Sequence, residues 1–188
     1  MKLEDMAAIQ ERINALEADE SLSPARKDLM MRNAMIRGHL PTEFLLAHGR
    51  DYAIGPDSFK LPRGEQGQCF MNATHLAIER PDLIYVEGKI ACHGIGIDHA
   101  WCVDADGIVH DPTIRDGHDG HISDYFGVPF KTPYLRKAII WNGYYGLLDY
   151  FVARTTAAKL YELGLEAGQQ WVLDNPKPKK PRKKKAAK

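Results

Sequence analysis

The chain has little cysteine, no long apolar run and no excess charge of one sign. Three cysteines, an odd number without framework spacing, argue against a disulfide scaffold and for free thiols in a reducing cytosol. No apolar stretch approaches the ~20 residues that span a bilayer, so no membrane partner is expected. The opening Met-Lys-Leu-Glu-Asp has no apolar run of the signal-peptide kind. Apolar residues at 44% and charged ones at 27% are ordinary for a globular protein, and 188 residues suffice for a real core. The zero net charge hides a division. Residues 176–188 hold eight basic residues and no acidic one, which leaves 17 basic against 25 acidic in residues 1–175, about −8. An acidic body with a basic tail speaks of a partner, a nucleic acid or an acidic protein reached through residues 176–188. The tail lacks aromatics for stacking bases, so such binding is expected to be sequence-blind. In a eukaryotic host it would serve as a nuclear localisation signal; otherwise the cytoplasm is the expected place.

Three regions follow from the pattern. Residues 1–50 read as a helical preface, either packed on the core or standing apart. Met6, Ile9, Ile13 and Leu16 recur at helical spacing over 3–19. Ser23-Pro24 starts a second helix carrying Leu29, Met30, Ala34 and Met35 to Gly38. A short third runs from Pro41-Thr42 to Gly49. Residues 51–173 read as an α+β core. It opens with a loop over 51–67, then a helix from Gln68 to Glu79, stopped by Pro81. Strands are expected at 83–87, 99–103, 108–111 and 138–141, with a polar loop over 114–124 and a helix ending the stretch 147–163. Tyr125, Phe126 and Phe130 are expected in the core. Residues 174–188, Pro/Lys-rich, are expected to be disordered.

Within this frame a thiol, an imidazole and a carboxylate stand in telling settings. Cys69 lies in Gly-Gln-Cys-Phe-Met-Asn, where a loop becomes a helix. His99 opens the strand-like His-Ala-Trp-Cys-Val-Asp, and Asp111 heads Asp-Pro-Thr. A thiolate is the reactive form of cysteine, and a helix N-terminus and a nearby imidazolium both favour it. Cys69 is therefore the candidate nucleophile, His99 the base and acid, and Asp111 the group that fixes the imidazole. Such chemistry calls for no cofactor and no metal. Gly67 lets backbone approach a substrate closely. The Cys69 N–H is one candidate oxyanion donor; Gln66, Gln68 and Asn72 are further candidates for the oxyanion or substrate, and Trp101 a minor one beside its expected core role. Asp111 could alternatively cap the turn before Pro112. Cys92, His93, Asp98, His99, Cys102 and His110 have metal-ligand types, but no paired Cys-x-x-Cys spacing supports zinc. His118-Asp119-Gly120-His121 reads as a solvated loop or, if functional, a flap over the cleft.

The hairpin between His99 and Asp111 makes a geometric claim. A two-residue Asp106-Gly107 turn would set Cys102 opposite Asp111 and put Asp111 on the face away from His99. A three-residue loop, Ala105-Asp106-Gly107 with a left-handed Gly107, pairs Asp104 with Ile108. His99 and Asp111 then share a face as diagonal neighbours. The three-residue loop is therefore predicted.

The order Cys at a helix start, then His-Ala-Trp on a strand, then Asp-Pro-Thr on the next resembles the transglutaminase-like branch of the papain-like thiol enzymes, over about residues 64–113. The Arg63-Gly64 approach to Cys69 is also faintly similar to arylamine acetyltransferases. Short uncharacterised bacterial and phage proteins look similar over residues 68–130, Tyr-Phe-Gly-Val-Pro-Phe included. The resemblance implies a helix against an antiparallel sheet, and hydrolysis of amides or esters, or acyl transfer, through a thioester, on a substrate that could be a protein. The Gln68-Cys69-Phe70-Met71-Asn72 setting departs from the Trp or Ala-rich surroundings usual in the family. The alternative, from another class, is a nucleic-acid- or protein-binding module on an inactive fold of this kind.

Overall fold

A computed structural model describes residues 3–35, 39–93, 95–114, 122–148 and 156–173. It is a mixed helix-and-sheet fold whose antiparallel sheet curls into a half-barrel. Three helices lead: α1 Leu3–Ala18, α2 Pro24–Met35 and α3 Leu40–His48. Then come β1 Arg50–Tyr52, α4 Cys69–Glu79, β2 Ile84–Cys92, β3 Ile95–Val103, β4 Val109–His110 and β5 Ile122–Pro129. Helices α5 Thr132–Asn142, α6 Thr156–Leu163 and α7 Leu165–Gly168 follow, with a 3-10 turn at Gln169–Trp171. The strands are ordered β1-β5-β2-β3-β4, each pair antiparallel.

The period-two alternation of a strand gives the sheet two apolar faces. On one, Tyr85, Ala100, Cys102, Phe126 and Val128 meet Ala73 and Ala77 of α4, Leu29 of α2, Phe44 of α3 and Leu135 of α5. On the other, Val86, Ile90, Trp101, Val103, Val109 and Tyr125 form a second cluster, flanked by Tyr52, Phe59 and Ile114. The helical preface thus packs into the main core through α2 and α3. Its second helix is tied down from afar: the Ala25 N–H donates to Asp124 Oδ2 of β5 at 3.0 Å, satisfying one of the orphan amides of a helix start. Ser23, expected as the cap, instead donates its hydroxyl to Asp51 Oδ1 at 3.1 Å.

Several expectations are corrected. Residues 138–141 are helical, not a strand. Pro133 sits in the first turn of α5, Leu135 and Ala138 are buried three apart, and left-handed Gly143 ends the helix by donating its N–H to Ile139 O at 2.9 Å. The run Ala-Ile-Ile-Trp is apolar enough for either structure, and packing of one helical face decides. The expected loop over 51–67 begins with β1, which pairs Arg50, Asp51 and Tyr52 with Gly127, Phe126 and Tyr125. Ile122–Asp124, read as loop, opens β5. Met6 and Met35, named in the helical patterns of the preface, are exposed at 54% and 56%. The His118–His121 loop and residues 174–188 lie outside the described residues.

Candidate active site

The site is built around the hairpin of β3 and β4. Its register pairs Cys102 with His110 and Val103 with Val109, and the Asp104 N–H donates to Ile108 O at 3.1 Å. The loop is the three-residue Ala105-Asp106-Gly107, with Gly107 at φ 80°. Asp104 Oδ1 accepts the Asp106 and Ile108 amides and holds that loop shut. Past β4 the chain keeps His99 and Asp111 on one side. His99 Nε2 lies 2.7 Å from Asp111 Oδ2, and both residues are buried.

Each Asp111 oxygen has its own duty. Oδ1 accepts the amides of Thr113 at 2.8 Å and Ile114 at 3.1 Å, the turn cap foreseen for Asp-Pro-Thr. Oδ2 is left for His99 and for the Tyr125 hydroxyl, which donates at 2.9 Å. Capping and orienting therefore coexist in one carboxylate. Its own N–H donates to Ser58 O at 2.8 Å, and Ser58 is wholly buried. Tyr125 was expected only in the core. Its polar tip carried no sequence signal of this contact, because β5 sits next to β2, not next to β3, in the sheet.

Cys69 is the first residue of α4 and partly exposed. Its sulfur lies near enough to the His99 ring to favour the charged imidazole. The burial of His99 would by itself lower its pKa. The charge and hydrogen bond of Asp111, joined by the Cys69 contact, outweigh it and raise the pKa to about 10. Burial likewise pushes Asp111 up, but His99 and the Thr113 and Ile114 amides win and hold it below its ordinary value. The pair is thus an imidazolium and a carboxylate near neutral pH.

The segment entering α4 is stapled to the segment leaving β4. Gly64 N–H donates to Pro112 O at 2.8 Å. Asn72 donates from Nδ2 to Glu65 O at 2.7 Å and to Thr113 Oγ1 at 3.0 Å, and accepts the Glu65 N–H at 3.1 Å. Both N–H donors of Asn72 are committed, so this candidate oxyanion donor instead shapes the loop that carries Cys69. Gly64 has no side chain to strike the Asn72 amide.

Gln66 and Gln68 are exposed beside Cys69, and Gln68 is the N-cap of α4 without a side-chain cap bond. Trp101 is fully buried in the second cluster, stacked on His99 with centroids 6.2 Å apart and at 16°. It is a wall behind the imidazole, not a substrate contact. Cys102 faces the helices and donates its thiol to Ala73 O at 3.3 Å. Among the described residues, no three His, Cys, Asp or Glu side chains gather in a way that could hold a metal ion. No described helix is long and apolar enough to cross a membrane.

With this geometry in view, the comparisons return nothing. No protein-family model, no curated protein and no solved structure matches the chain.

Proposed function

We propose that the chain is a cysteine hydrolase or acyl/amide transferase, of the transglutaminase-like kind that its motifs resemble. The observation that carries this is the buried His99–Asp111 pair at 2.7 Å, with Cys69 near enough to favour the charge on the same imidazole. A helix start carrying the thiol, packed on an antiparallel sheet carrying the imidazole, supports the papain-like layout that the resemblance implies.

In this reading His99 already holds its proton, the Cys69 thiol gives its own to solvent, and the thiolate Sγ beside the imidazolium attacks the carbonyl carbon of an amide or ester. The carbonyl oxygen takes negative charge beside the first-turn amides of α4, which have no helical acceptor of their own. As the C–N or C–O bond breaks, His99 gives its proton to the departing amine or alcohol, and a thioester remains. Water or a second amine, deprotonated by His99, then attacks the thioester and frees Cys69. The partial exposure of Cys69 leaves a path for substrate, while Trp101 and Tyr125 keep the far side of the imidazole dry.

Alkylation with iodoacetamide, read site by site by mass spectrometry, tests this. Cys69 is expected to react fastest of the three thiols, and about tenfold or more slower in His99→Ala. Labelling of Cys69 no faster than the partly exposed Cys92, and indifferent to His99→Ala, sinks the reading.

A further inference from the structure

Away from the thiol, a cleft of about 820 Å³ opens between α5, α6 and the 3-10 turn. Neither Cys69, His99 nor Asp111 lines it. Its volume lies in the range of small-ligand clefts. Its chemistry is unlike that of the rest of the body. Lys131, Lys137 and Lys159 line it against a single acidic residue, Glu162. Residues 1–175 as a whole carry about −8, so a cationic cleft here is a local inversion of sign.

Two of these ammonium groups converge on one indole. Lys159 Nζ lies 3.2 Å, and Lys137 Nζ 4.5 Å, from the centroid of the Trp141 ring. Among the described residues neither lysine has a carboxylate at ion-pair distance, and partial burial together with Lys137 holds Lys159 below its usual pKa. Glu162, the single acidic lining residue, offsets only part of this crowding, and a bound anion would relieve the rest. Trp141 is 46% exposed, whereas Trp101 and Trp171 are buried. Tyr134 and Trp171 stack at 4.9 Å and 9° along the wall. Lys159 and Lys137 lie over the Trp141 ring, so a flat base reaches the indole as the two ammonium groups move out to the phosphates of a sugar-phosphate chain.

The chain's course adds a second argument. Leu173 lines the cleft and is fixed at both ends of its peptide: its N–H donates to Pro129 O at 2.9 Å, and its carbonyl accepts Arg50 Nη2 at 2.6 Å. The eight basic residues of 176–188 therefore follow directly from the cleft wall.

We infer that this cleft binds a short stretch of single-stranded nucleic acid, with Lys137 and Lys159 on phosphates and Trp141 stacked on a base. Sequence specificity is not expected of it, since stacking and phosphate contacts read no base edges.

The test uses the full chain and a fluorescent twelve-residue oligothymidylate, followed by anisotropy across a salt series. Binding should quench tryptophan emission, and most of the quench should be lost in Trp141→Phe, because Trp141 is the exposed indole while Trp101 and Trp171 are buried. Trp141→Ala should weaken binding about tenfold without changing the charge. Lys137→Gln with Lys159→Gln should flatten the log–log salt slope by about 1.4, the loss of two phosphate contacts. Circular dichroism checks that each variant folds. The inference is overturned if the double variant binds like wild type, if an abasic strand of equal length binds as tightly, or if poly-glutamate binds the cleft as well as oligothymidylate. The first two outcomes would leave the tail as the whole binding element, and the third would make the cleft an acidic-peptide site.

Discussion

Two carboxylates are buried on opposite faces of the same sheet, and their fates differ. Glu87 lies on the helix-covered face, with Oε2 accepting the Tyr85 hydroxyl and the Leu147 amide and Oε1 the Leu148 amide. No cation reaches it at ion-pair distance among the described residues. Burial prevails over three hydrogen bonds and pushes its pKa up to about 7. Asp111, on the other face, meets an imidazole and goes the other way. Hydrogen bonds alone do not keep a buried carboxylate ionised here; a cationic partner does. One carboxylate fastens a loop and the other holds an imidazole.

The comparison breaks most sharply if its cation-bound half is removed. Asp111→Ala leaves His99 buried without its counter-charge. Loss of one partner of a buried pair is expected to cost about 3–5 kcal/mol in denaturant unfolding, and Cys69 alkylation should fall to the rate of Cys92. An unchanged midpoint would mean that the two carboxylates are equivalent after all.

Next comes Tyr125→Phe. It deletes one donor to Asp111 Oδ2 and is expected to cost about 1.5–3 kcal/mol, the range for a hydrogen bond to a charged group. Glu87→Gln is expected to cost about 1–3 kcal/mol at pH 5, since one backbone amide then faces an NH2 group instead of an acceptor.

Subtler is the pH profile. Both Glu87 and His99 have folded pKa values above their ordinary ones, so each contributes stability that fades as pH rises. For Glu87 it is full below about 4.5 and lost through about 7; for His99 it is full below about 6.5 and lost through about 10. Melting temperature should therefore fall in two limbs between pH 5 and 10. Asp111→Asn should erase the upper limb and Glu87→Gln the lower; a single limb insensitive to both defeats the contrast.

Smallest is Asn72→Ala, expected to cost about 1 kcal/mol through the lost Glu65 and Thr113 bonds. Its clearer readout is slower Cys69 alkylation, because the loop that presents the thiol is slackened.

How much of this was legible depended on sequence separation. His99 and Asp111 stand twelve positions apart across one tight turn, so counting side chains along two strands placed them together. The start of α4 was equally local. Tyr125 and Asn72 escaped because their roles depend on partners brought in by the sheet order and by a loop 41 residues away, at Thr113. Glu87 looked like an ordinary strand residue, and nothing in Leu-Ile-Tyr-Val-Glu tells that the amides of Leu147 and Leu148 will close over it. The helix over 138–141 differs from the expected strand for another reason. Its apolar residues fit either period, and only the cover that one face finds decides between them.

The hairpin loop has a consequence for how such a chain can drift. Exposed turns ordinarily tolerate gain or loss of a residue. Here the tolerance depends on which pair closes the loop: kept at Asp104–Ile108, the pairing leaves His99 and Asp111 on one face, whereas a closing pair moved by one residue on one strand sends Asp111 to the other. The site is thus guarded by a register, and a change in the hairpin that slips it by one residue dismantles the site without touching any residue in it.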